Sequence, residues 1–232
     1  ISGFNLLKEL RSQESLQKTK IFIFSAKNYA SDRKLSYELG ADGFFEKPFT
    51  AEQLLEKVEQ IIGGKMRIRF WGTRGSVPSP GKCTVKYGGN TPCVEIRLPN
   101  EELFIFDAGT GIRELGNFLI NKRNNWRGHI FLSHPHWDHI QGLPFFKPAY
   151  IPGNEFTILS AGHPQVSLKK IIADQMESIY FPITVHYFSA DISFRDLEEG
   201  SYKFGGTQID TMFISHPGLA LSYKIKWGNY KL

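Results

Sequence analysis

The chain has little cysteine and no long apolar run, and both absences restrict what it can be. Only Cys83 and Cys93 occur in its 232 residues, which is too few for a disulfide framework and lacks the C-x-x-C spacing of a zinc pair. We expect both thiols to be buried. No stretch approaches the roughly 20 apolar residues of a membrane-spanning helix, and residues 1–4 lack the features of a signal peptide. We therefore expect a reduced, cytoplasmic setting without membrane association.

The net charge of +5 is unevenly distributed along the chain. Residues 1–64 hold 9 Lys and Arg against 9 Asp and Glu, which leaves 19 against 14 in the remainder. A basic domain suits an anionic substrate such as a phosphodiester. On charge alone, an ordinary solvated surface is an equally good interpretation.

A group of metal-ligand side chains follows the apolar run at residues 130–132. We call residues 134–139 the histidine motif, because they follow the pattern H-x-H-x-D-H. Imidazole nitrogens and carboxylate oxygens bind zinc, iron or manganese. The spacing predicts two adjacent ions, with His134 and His136 on one and Asp138 and His139 on the other. Titrating surface histidines or helix caps are the alternatives, but four ligands directly after a strand favour metal binding.

Four short sequence segments near the histidine motif support this interpretation. They are Trp-Gly-Thr-Arg-Gly-Ser-Val-Pro at 71–78, Tyr-Gly-Gly-Asn-Thr-Pro-Cys at 87–93, Phe-Asp-Ala-Gly-Thr-Gly at 106–111 and Gly-Leu-Pro at 142–144. Over about residues 66–232 the chain resembles the phosphodiesterase-like branch of the metallo-β-lactamase-fold hydrolases, which is more distantly similar to the tRNA 3′-processing endonucleases. The resemblance implies an αββα sandwich that holds two divalent metal ions. We expect zinc, with manganese or iron as alternatives.

The resemblance also implies roles for individual residues. Asp138 is expected to be both a ligand and the catalytic proton acceptor. His216 follows a strand and precedes a proline, as His134 does, and is expected to be the third ligand of the first ion. Asp107 is expected to orient the histidines from behind the motif, although it could equally cap a helix.

Substrate contacts are expected from the loops beside the motif. Arg74 and Asn90 are candidates for binding the substrate phosphate, although Arg74 could simply brace its loop. Trp137 is expected to form a lid over the metals rather than a platform for base stacking. His163 also precedes a proline, but we expect it to be structural. Further along, we expect a helix beginning at 140–146 and a short strand at 181–183.

The N-terminal part has a different pattern. Strands at 20–25 and 43–45 alternate with helices at 32–39 and from Thr50 to about Ile62, which predicts a doubly wound parallel α/β unit. This part resembles the C-terminal half of a response-regulator receiver domain. In that resemblance Ser25 is the hydroxyl switch residue, Phe44 the switch aromatic and Lys47 the lysine that pairs with the phosphoryl group. The peptide between Lys47 and Pro48 is expected to be cis.

We therefore expect two domains, a partial receiver at 1–63 and a metallo-β-lactamase-fold domain at 64–232, joined by a hinge at residues 63–64. The phosphoaccepting aspartate of a receiver would precede Ile1. The bridging aspartate and last histidine of the hydrolase family would follow Leu232. We expect both ends to be truncations, so that the second metal site keeps only Asp138 and His139.

The predicted function is a metal-dependent hydrolase, most simply a phosphodiesterase for a small or cyclic phosphodiester that is regulated by the receiver. Its partners would be the phosphodiester substrate and a histidine kinase of a two-component system, and a homodimer is possible. The first alternative is a nuclease of the tRNA 3′-processing type. The second is a non-catalytic signalling or sensor module built around the metal centre.

Overall fold

The computed structural model describes residues 3–17, 19–26, 29–51, 53–54, 57–58, 66–123, 125–228 and 230–232. The chain divides into two compact units, one formed by Ile1–Lys65 with Leu98–Asn100 and the other by Met66–Arg97 with Glu101–Leu232. The predicted hinge at residues 63–64 lies outside the described residues. Within the described part, no helix is long and apolar enough to cross a membrane.

The first unit is a small parallel α/β structure. Its elements are α1 (Gly3–Ser12), β1 (Phe22–Ser25), α2 (Ala30–Glu38) and β2 (Gly43–Glu46). The two strands pair in parallel, with Phe22 opposite Gly43. The rings of Phe24 and Phe45 stack with centroids 5.0 Å apart. A strand–helix–strand crossover of this kind is the predicted doubly wound arrangement.

The predicted helix after Thr50 is only partly described, because residues 52, 55–56 and 59–65 lie outside the described set. Its beginning is a capping box. The Gln53 N–H donates to Thr50 Oγ1 at 3.2 Å, and the Thr50 N–H donates to Gln53 Oε1 at 3.0 Å. The short polar side chains therefore satisfy backbone donors that a helix start leaves unpaired.

The three receiver residues lie on these strands or directly after them. Ser25 ends β1, and its carbonyl oxygen accepts from the Lys47 N–H at 2.8 Å. Phe44 is 5% exposed, whereas the side chain of Lys47 is exposed. The Lys47–Pro48 peptide is cis, as expected. Their switching roles stay predictions.

The described residues of the second unit form two sheets and three α-helices. The six-stranded sheet is β3 (Arg67–Gly72), β4 (Cys93–Arg97), β5 (Leu103–Phe106), β6 (Arg127–Phe131), β7 (Glu155–Ala161) and β8 (Asp191–Leu197), in that spatial order. The four-stranded sheet has the order β12 (Tyr230–Lys231), β11 (Leu221–Trp227), β10 (Thr207–Phe213) and β9 (Gly200–Phe204). The helices are α3 (Gly111–Ile120), α4 (Trp137–Ile140) and α5 (Leu168–Asp174). Strands β3 to β5 pair antiparallel and β5 to β8 pair in parallel, while the second sheet is antiparallel throughout.

The six-stranded sheet is covered on both faces, which explains why the central strand β5 is apolar at every position. On one face α3 packs its buried side chains Ile112, Leu115 and Leu119 into the main core. On the other face the ring of Phe131 meets Phe204 of the second sheet edge-on at 5.3 Å. The result is a helix–sheet–sheet sandwich.

The histidine motif begins where β6 ends, and that point is tied to two neighbours. The Leu132 N–H donates to Leu159, which continues the pairing with β7. From the second sheet, the Leu221 N–H donates to the Ser133 carbonyl at 2.9 Å, and the Tyr223 hydroxyl donates to the Leu132 carbonyl at 2.6 Å. Both sheets therefore hold Leu132 and Ser133, the two residues directly before the histidine motif.

Candidate metal centre

Three histidines from two distant segments converge at one point. Each of His134, His136 and His216 offers a ring nitrogen, and these nitrogens lie within 4.8 Å of one another. His134 is 8% exposed, His136 is exposed and His216 is half-buried. The loop after β6 supplies the first two, and the segment between β10 and β11 supplies the third. This is the set predicted for the first ion.

The donor set fits a divalent metal ion. Nitrogens that share a tetrahedral zinc ion lie about 3.3 Å apart, given Zn–N bonds of about 2.0–2.1 Å. An upper separation of 4.8 Å therefore requires only small ring movements. The His216 Nδ1 atom is also buried without a hydrogen-bond partner among the described residues. An unpaired buried imidazole nitrogen is costly unless something binds that ring.

Asp138 and His139 form a separate pair beside the three histidines. The His139 Nε2 atom lies 3.5 Å from Asp138 Oδ2, and the ring centroids of His139 and His134 are 4.1 Å apart. They are therefore placed where a second ion would adjoin the first. Two ligands leave such an ion incompletely coordinated, and the second site stays a prediction.

Asp107 lies directly behind the motif. Its carboxylate accepts from the His139 Nδ1–H at 2.9 Å, and from the N–H and hydroxyl of Ser133 at 2.8 and 2.9 Å. Ser133 Oγ also lies 3.0 Å from His134 Nδ1. Asp107 adopts a left-handed φ of 62°, a conformation that costs free energy in a non-glycine residue. These contacts suit an orienting role for Asp107, and they show that Ser133 belongs to the same network, a role that its sequence position alone did not predict.

A backbone contact from another loop holds the Asp138 carboxylate. The Ser76 N–H donates to Asp138 Oδ2 at 2.8 Å, and Ser76 itself has a φ of 70°. Sequence analysis could not find this contact because any residue except proline carries the donor.

Two glycines allow the motif to approach the loop after β5. A Cβ on Gly142 would lie 2.0 Å from the Gly109 carbonyl oxygen, and one on Gly109 would lie 2.3 Å from the Asp138 carbonyl oxygen. Neither distance is possible between real atoms, so both positions require glycine. The helix start and the motif can therefore pack backbone against backbone.

The surroundings shift the pKa values of two motif histidines in opposite directions. Burial, together with the neighbouring His139, His216 and His136 rings, lowers the pKa of His134 from 6.5 to about 4. Burial also opposes the charged form of His139. However, its hydrogen bond to Asp107 and the charges of Asp107 and Asp138 outweigh that effect and raise its pKa. His134 is thus neutral, as a ligand must be, at neutral pH.

These shifts predict a pH titration of the metal-free chain. In an NMR titration the ring of His134 should stay neutral down to about pH 4. The ring of His139 should lose its proton at a pH above 6.5. Because the folded pKa of His139 is raised, its stabilising pairing is fully present below pH 6.5 and is lost as the pH rises through that pKa. For His134 the sign is opposite, and stability falls as the pH drops from 6.5 towards 4.

The variant Asp107→Asn tests the cause of the His139 shift. Without the carboxylate, burial is no longer offset by Asp107, so the pKa of His139 should fall measurably. Asp191→Asn, an exposed site on β8, is the matched control and should leave the titration unchanged. An unaltered His139 titration in Asp107→Asn would contradict the assigned cause.

The remaining predicted residues have different environments. The Arg74 side chain is exposed, and its backbone N–H donates to the Asn90 carbonyl oxygen at 3.0 Å. Asn90 Oδ1 accepts from the Thr110 hydroxyl at 3.2 Å, so both residues brace the loop, and their substrate roles stay predictions. His163 lines a cavity of about 190 Å³ together with the three histidines.

The expectation that both thiols are buried was half wrong, because Cys93 is buried but Cys83 is exposed.

A wide apolar groove of about 660 Å³ lies beside the centre. Pro135 and Ile171 line both this groove and the histidine cavity. Trp137 also lines it and is 79% exposed. Trp137, which we expected to form a lid over the metals, therefore lies on the wall of an open groove.

Two family models match the chain. Residues 1–59 match the response regulator receiver domain, and residues 87–155 match the metallo-β-lactamase superfamily. A curated relative of the first part is the probable transcriptional regulator ycf29 of Porphyra purpurea. It is 34% identical over 62 residues, which are 27% of this chain and 30% of that protein.

The second part of the chain, which we expected to have the metallo-β-lactamase fold, is similar to proteins named ribonuclease Z and tRNase Z. Ribonuclease Z of Picrophilus torridus is 28% identical over 169 residues, which are 71% of this chain and 49% of that protein. The chain thus spans about half the length of this relative. The crystal structure of human tRNase Z, short form, superimposes with a TM-score of 0.51 at 18% identity, over 71% of this chain and 66% of that one. This likeness shows the fold. The chain therefore joins a response regulator receiver segment to a metallo-β-lactamase-fold domain.

Proposed function

We propose that the second unit is a metal-dependent hydrolase of phosphodiesters, acting on a small or cyclic diester. The observation that carries this proposal is the convergence of the His134, His136 and His216 nitrogens within 4.8 Å. The basic balance of the chain, +5 overall, suits an anionic substrate. The names of the ribonuclease Z relatives support the same reaction class.

His134, His136 and His216 would hold one ion, and Asp138 and His139 would offer ligands to a second. When bound, such ions lower the pKa of a water molecule and stabilise charge on phosphoryl oxygens. Asp138 would accept the proton of the attacking water. Ser76 holds the Asp138 carboxylate in place through a backbone N–H, and Asp107 fixes the tautomer of His139 by accepting a hydrogen bond from its Nδ1–H.

The test combines metal content with turnover. The chain would be purified, its bound metals counted by plasma mass spectrometry, and its hydrolysis of bis(p-nitrophenyl) phosphate followed. We expect at least one ion per chain, and turnover that a chelator abolishes and zinc, manganese or iron restores. Tightly bound metal without hydrolysis of any diester would overturn the proposal in favour of a metal-centred sensor.

The second candidate is a nuclease of the tRNA 3′-processing type. The observation that favours it is the match to ribonuclease Z over 71% of the chain. The two candidates differ in the size of the substrate. A nuclease should cleave a tRNA precursor with a kcat/KM at least a hundredfold above that for a cyclic mononucleotide, whereas a small-molecule phosphodiesterase should show the reverse preference.

We further propose that the receiver segment regulates the hydrolase within a two-component system, with a histidine kinase as partner. The residues that support this are Ser25 at the end of β1, Phe44 within β2 and Lys47 directly after β2. In a chain that carries the phosphoaccepting aspartate of a receiver, a small-molecule phosphodonor should change turnover, and Lys47→Ala, at an exposed side chain, should abolish that response without changing metal content. Turnover that does not respond to the phosphodonor in the parent chain, or that responds equally in Lys47→Ala, would count against this regulation.

A further inference from the structure

His163 lies at the same edge of the six-stranded sheet as the histidine motif. It follows the end of β7, and the motif follows the end of β6. These strands pair in parallel, and the Leu132 N–H, just before the motif, extends the pairing by donating to Leu159. Ligands of open α/β sheets bind outside the carboxyl ends of parallel strands. The fold therefore places His163 on the side of the sheet where the metal ligands converge.

The cavity that His163 shares with the three histidines is small and holds no fixed positive charge. Its volume of about 190 Å³ lies below the roughly 300–1,000 Å³ of complete small-molecule sites. It therefore suits one functional group of a substrate rather than the whole molecule. Among the described residues that line it there is no lysine or arginine. A phosphoryl group there would depend on bound metal ions and on neutral hydrogen-bond donors.

His163 is the side-chain donor of this cavity that has no other task. The three converging histidines direct ring nitrogens at a common point, where they would bind a metal ion. Ser160 also lines the cavity, but its hydroxyl already donates to the Leu132 carbonyl oxygen at 3.3 Å. Among the described lining residues, His163 is thus the side chain whose N–H remains available to a ligand.

A backbone contact in the same loop determines which ring nitrogen carries that hydrogen. The Gln165 N–H donates to His163 Nδ1 at 3.2 Å. A ring nitrogen that accepts a hydrogen bond carries no hydrogen itself, so the hydrogen of the neutral ring lies on Nε2. An imidazolium would set a second N–H against that of Gln165. The geometry therefore suits a hydrogen-bond donor rather than an acid that gives up its proton.

We propose that His163 contacts the substrate, with its Nε2–H donating a hydrogen bond to a phosphoryl oxygen at the metal centre. Preorganised donors of this kind stabilise the charge that develops on an oxygen in the transition state. No proton leaves His163, because Asp138 accepts the proton of the attacking water. This gives His163 a role in binding, whereas the sequence suggested a structural one. The inference rests on the proposed function for the position of the phosphoryl group.

The test compares His163→Leu with His163→Gln in the full chain. Leucine removes the donor, whereas the glutamine Nε2 atom offers an N–H at a similar reach. The side chain is exposed, so neither change should disturb folding. On bis(p-nitrophenyl) phosphate we expect kcat to fall about a hundredfold in His163→Leu and about tenfold at most in His163→Gln. Metal content should stay unchanged in both.

The matched control is His186→Leu, the same change at an exposed histidine outside the cavity lining. It should leave kcat and metal content unchanged. Parental kcat in His163→Leu would overturn the inference, since the N–H would then touch nothing that matters in the reaction. Loss of metal from His163→Leu would also overturn it, because His163 would then be a ligand of the ion.

Inorganic phosphate gives a readout that does not require turnover. In calorimetric titrations of the metal-loaded chain, we expect phosphate to bind about tenfold more weakly to His163→Leu than to the parent chain. His163→Gln should restore most of that affinity. Nitrogen-15 NMR of the parent chain should show the neutral His163 ring protonated at Nε2. Equal phosphate affinity in His163→Leu and the parent chain, or a neutral ring protonated at Nδ1, would overturn the inference.

The outcomes separate this inference from the proposed function. Phosphate binding that depends on the His163 N–H, without hydrolysis of any diester, would keep the inference and overturn the proposed function. Diester hydrolysis that His163→Leu leaves intact would do the opposite.

Discussion

Replacing His216 by alanine should reduce the metal affinity of the chain by at least a hundredfold and abolish metal-dependent diester hydrolysis. Loss of a partner that merely orients a ligand already costs about 10–100-fold in metal affinity, and His216 is one of three nitrogens that converge within 4.8 Å. The stability of the metal-free chain should not fall correspondingly. Since Nδ1 of His216 is buried and unpaired in the described structure, its removal relieves a desolvated polar atom. Metal titration and thermal unfolding of the chelated chain measure the two effects.

The matched control for this prediction is His186→Ala. It makes the same chemical change at an exposed histidine that is not part of the three-histidine cluster. Its metal affinity and turnover should equal those of the parent chain. If His216→Ala kept full metal stoichiometry, His216 could not be a ligand, and the first metal site would have to be redrawn around other residues.

The second large effect is expected from Gly142→Ala. The added Cβ would sit 2.0 Å from the Gly109 carbonyl oxygen, which belongs to backbone and cannot rotate away. The φ of Gly142 is −84°, so alanine can adopt the conformation, and the whole effect is steric. Such overpacking costs about 1–3 kcal/mol or more. Each kcal/mol corresponds to about 2–4 °C in a unit of this size, and we expect Tm to fall by about 5 °C or more.

The displaced backbone carries the motif, so Gly142→Ala should also weaken metal binding. Gly206→Ala is the control, because a Cβ at Gly206 meets no atom within 4 Å. Calorimetry on both variants should show a loss of stability only in Gly142→Ala. A Tm within 1 °C of the parent chain for Gly142→Ala would mean that the loop after β5 is not fixed where the structure places it.

The sequence was most informative where chemistry is concentrated in a few adjacent positions. The histidine motif could be recognised because metal ligands at short spacing directly after an apolar strand have few other uses. His216 is 82 positions beyond His134 in the numbering. The two share only the local pattern of a strand followed by His-Pro, and the resemblance to a known fold was needed to assign them to one ion.

Contacts made by backbone atoms could not be predicted in this way. The Ser76 N–H that holds Asp138 depends on the path of a loop, and its side chain carries no signal. Two element predictions were also wrong. Residues 181–183 form no strand, in keeping with the missing N–H of Pro182. The helix expected to begin at 140–146 is instead the short α4 followed by a 3-10 turn at Leu143–Phe145.

The strand β9 (Gly200–Phe204) was not predicted at all. It is five residues long with a glycine at its start, and its alternation is too short to stand out from a loop. Its pairing with β10 supplies the order that its own sequence does not specify. Tertiary pairing, rather than local propensity, decides such edge elements.

The hydroxyl of Tyr223 donates to the carbonyl of Leu132, 91 positions earlier in the chain. Contacts of such long sequence separation form late, because the intervening loop must close before they are gained. During synthesis the ligands of the histidine motif would leave the ribosome well before the strand that braces them. The motif should thus mature only after β11 has paired, and a released chain truncated after Ala220 should bind metal weakly even though it contains His134, His136 and His216.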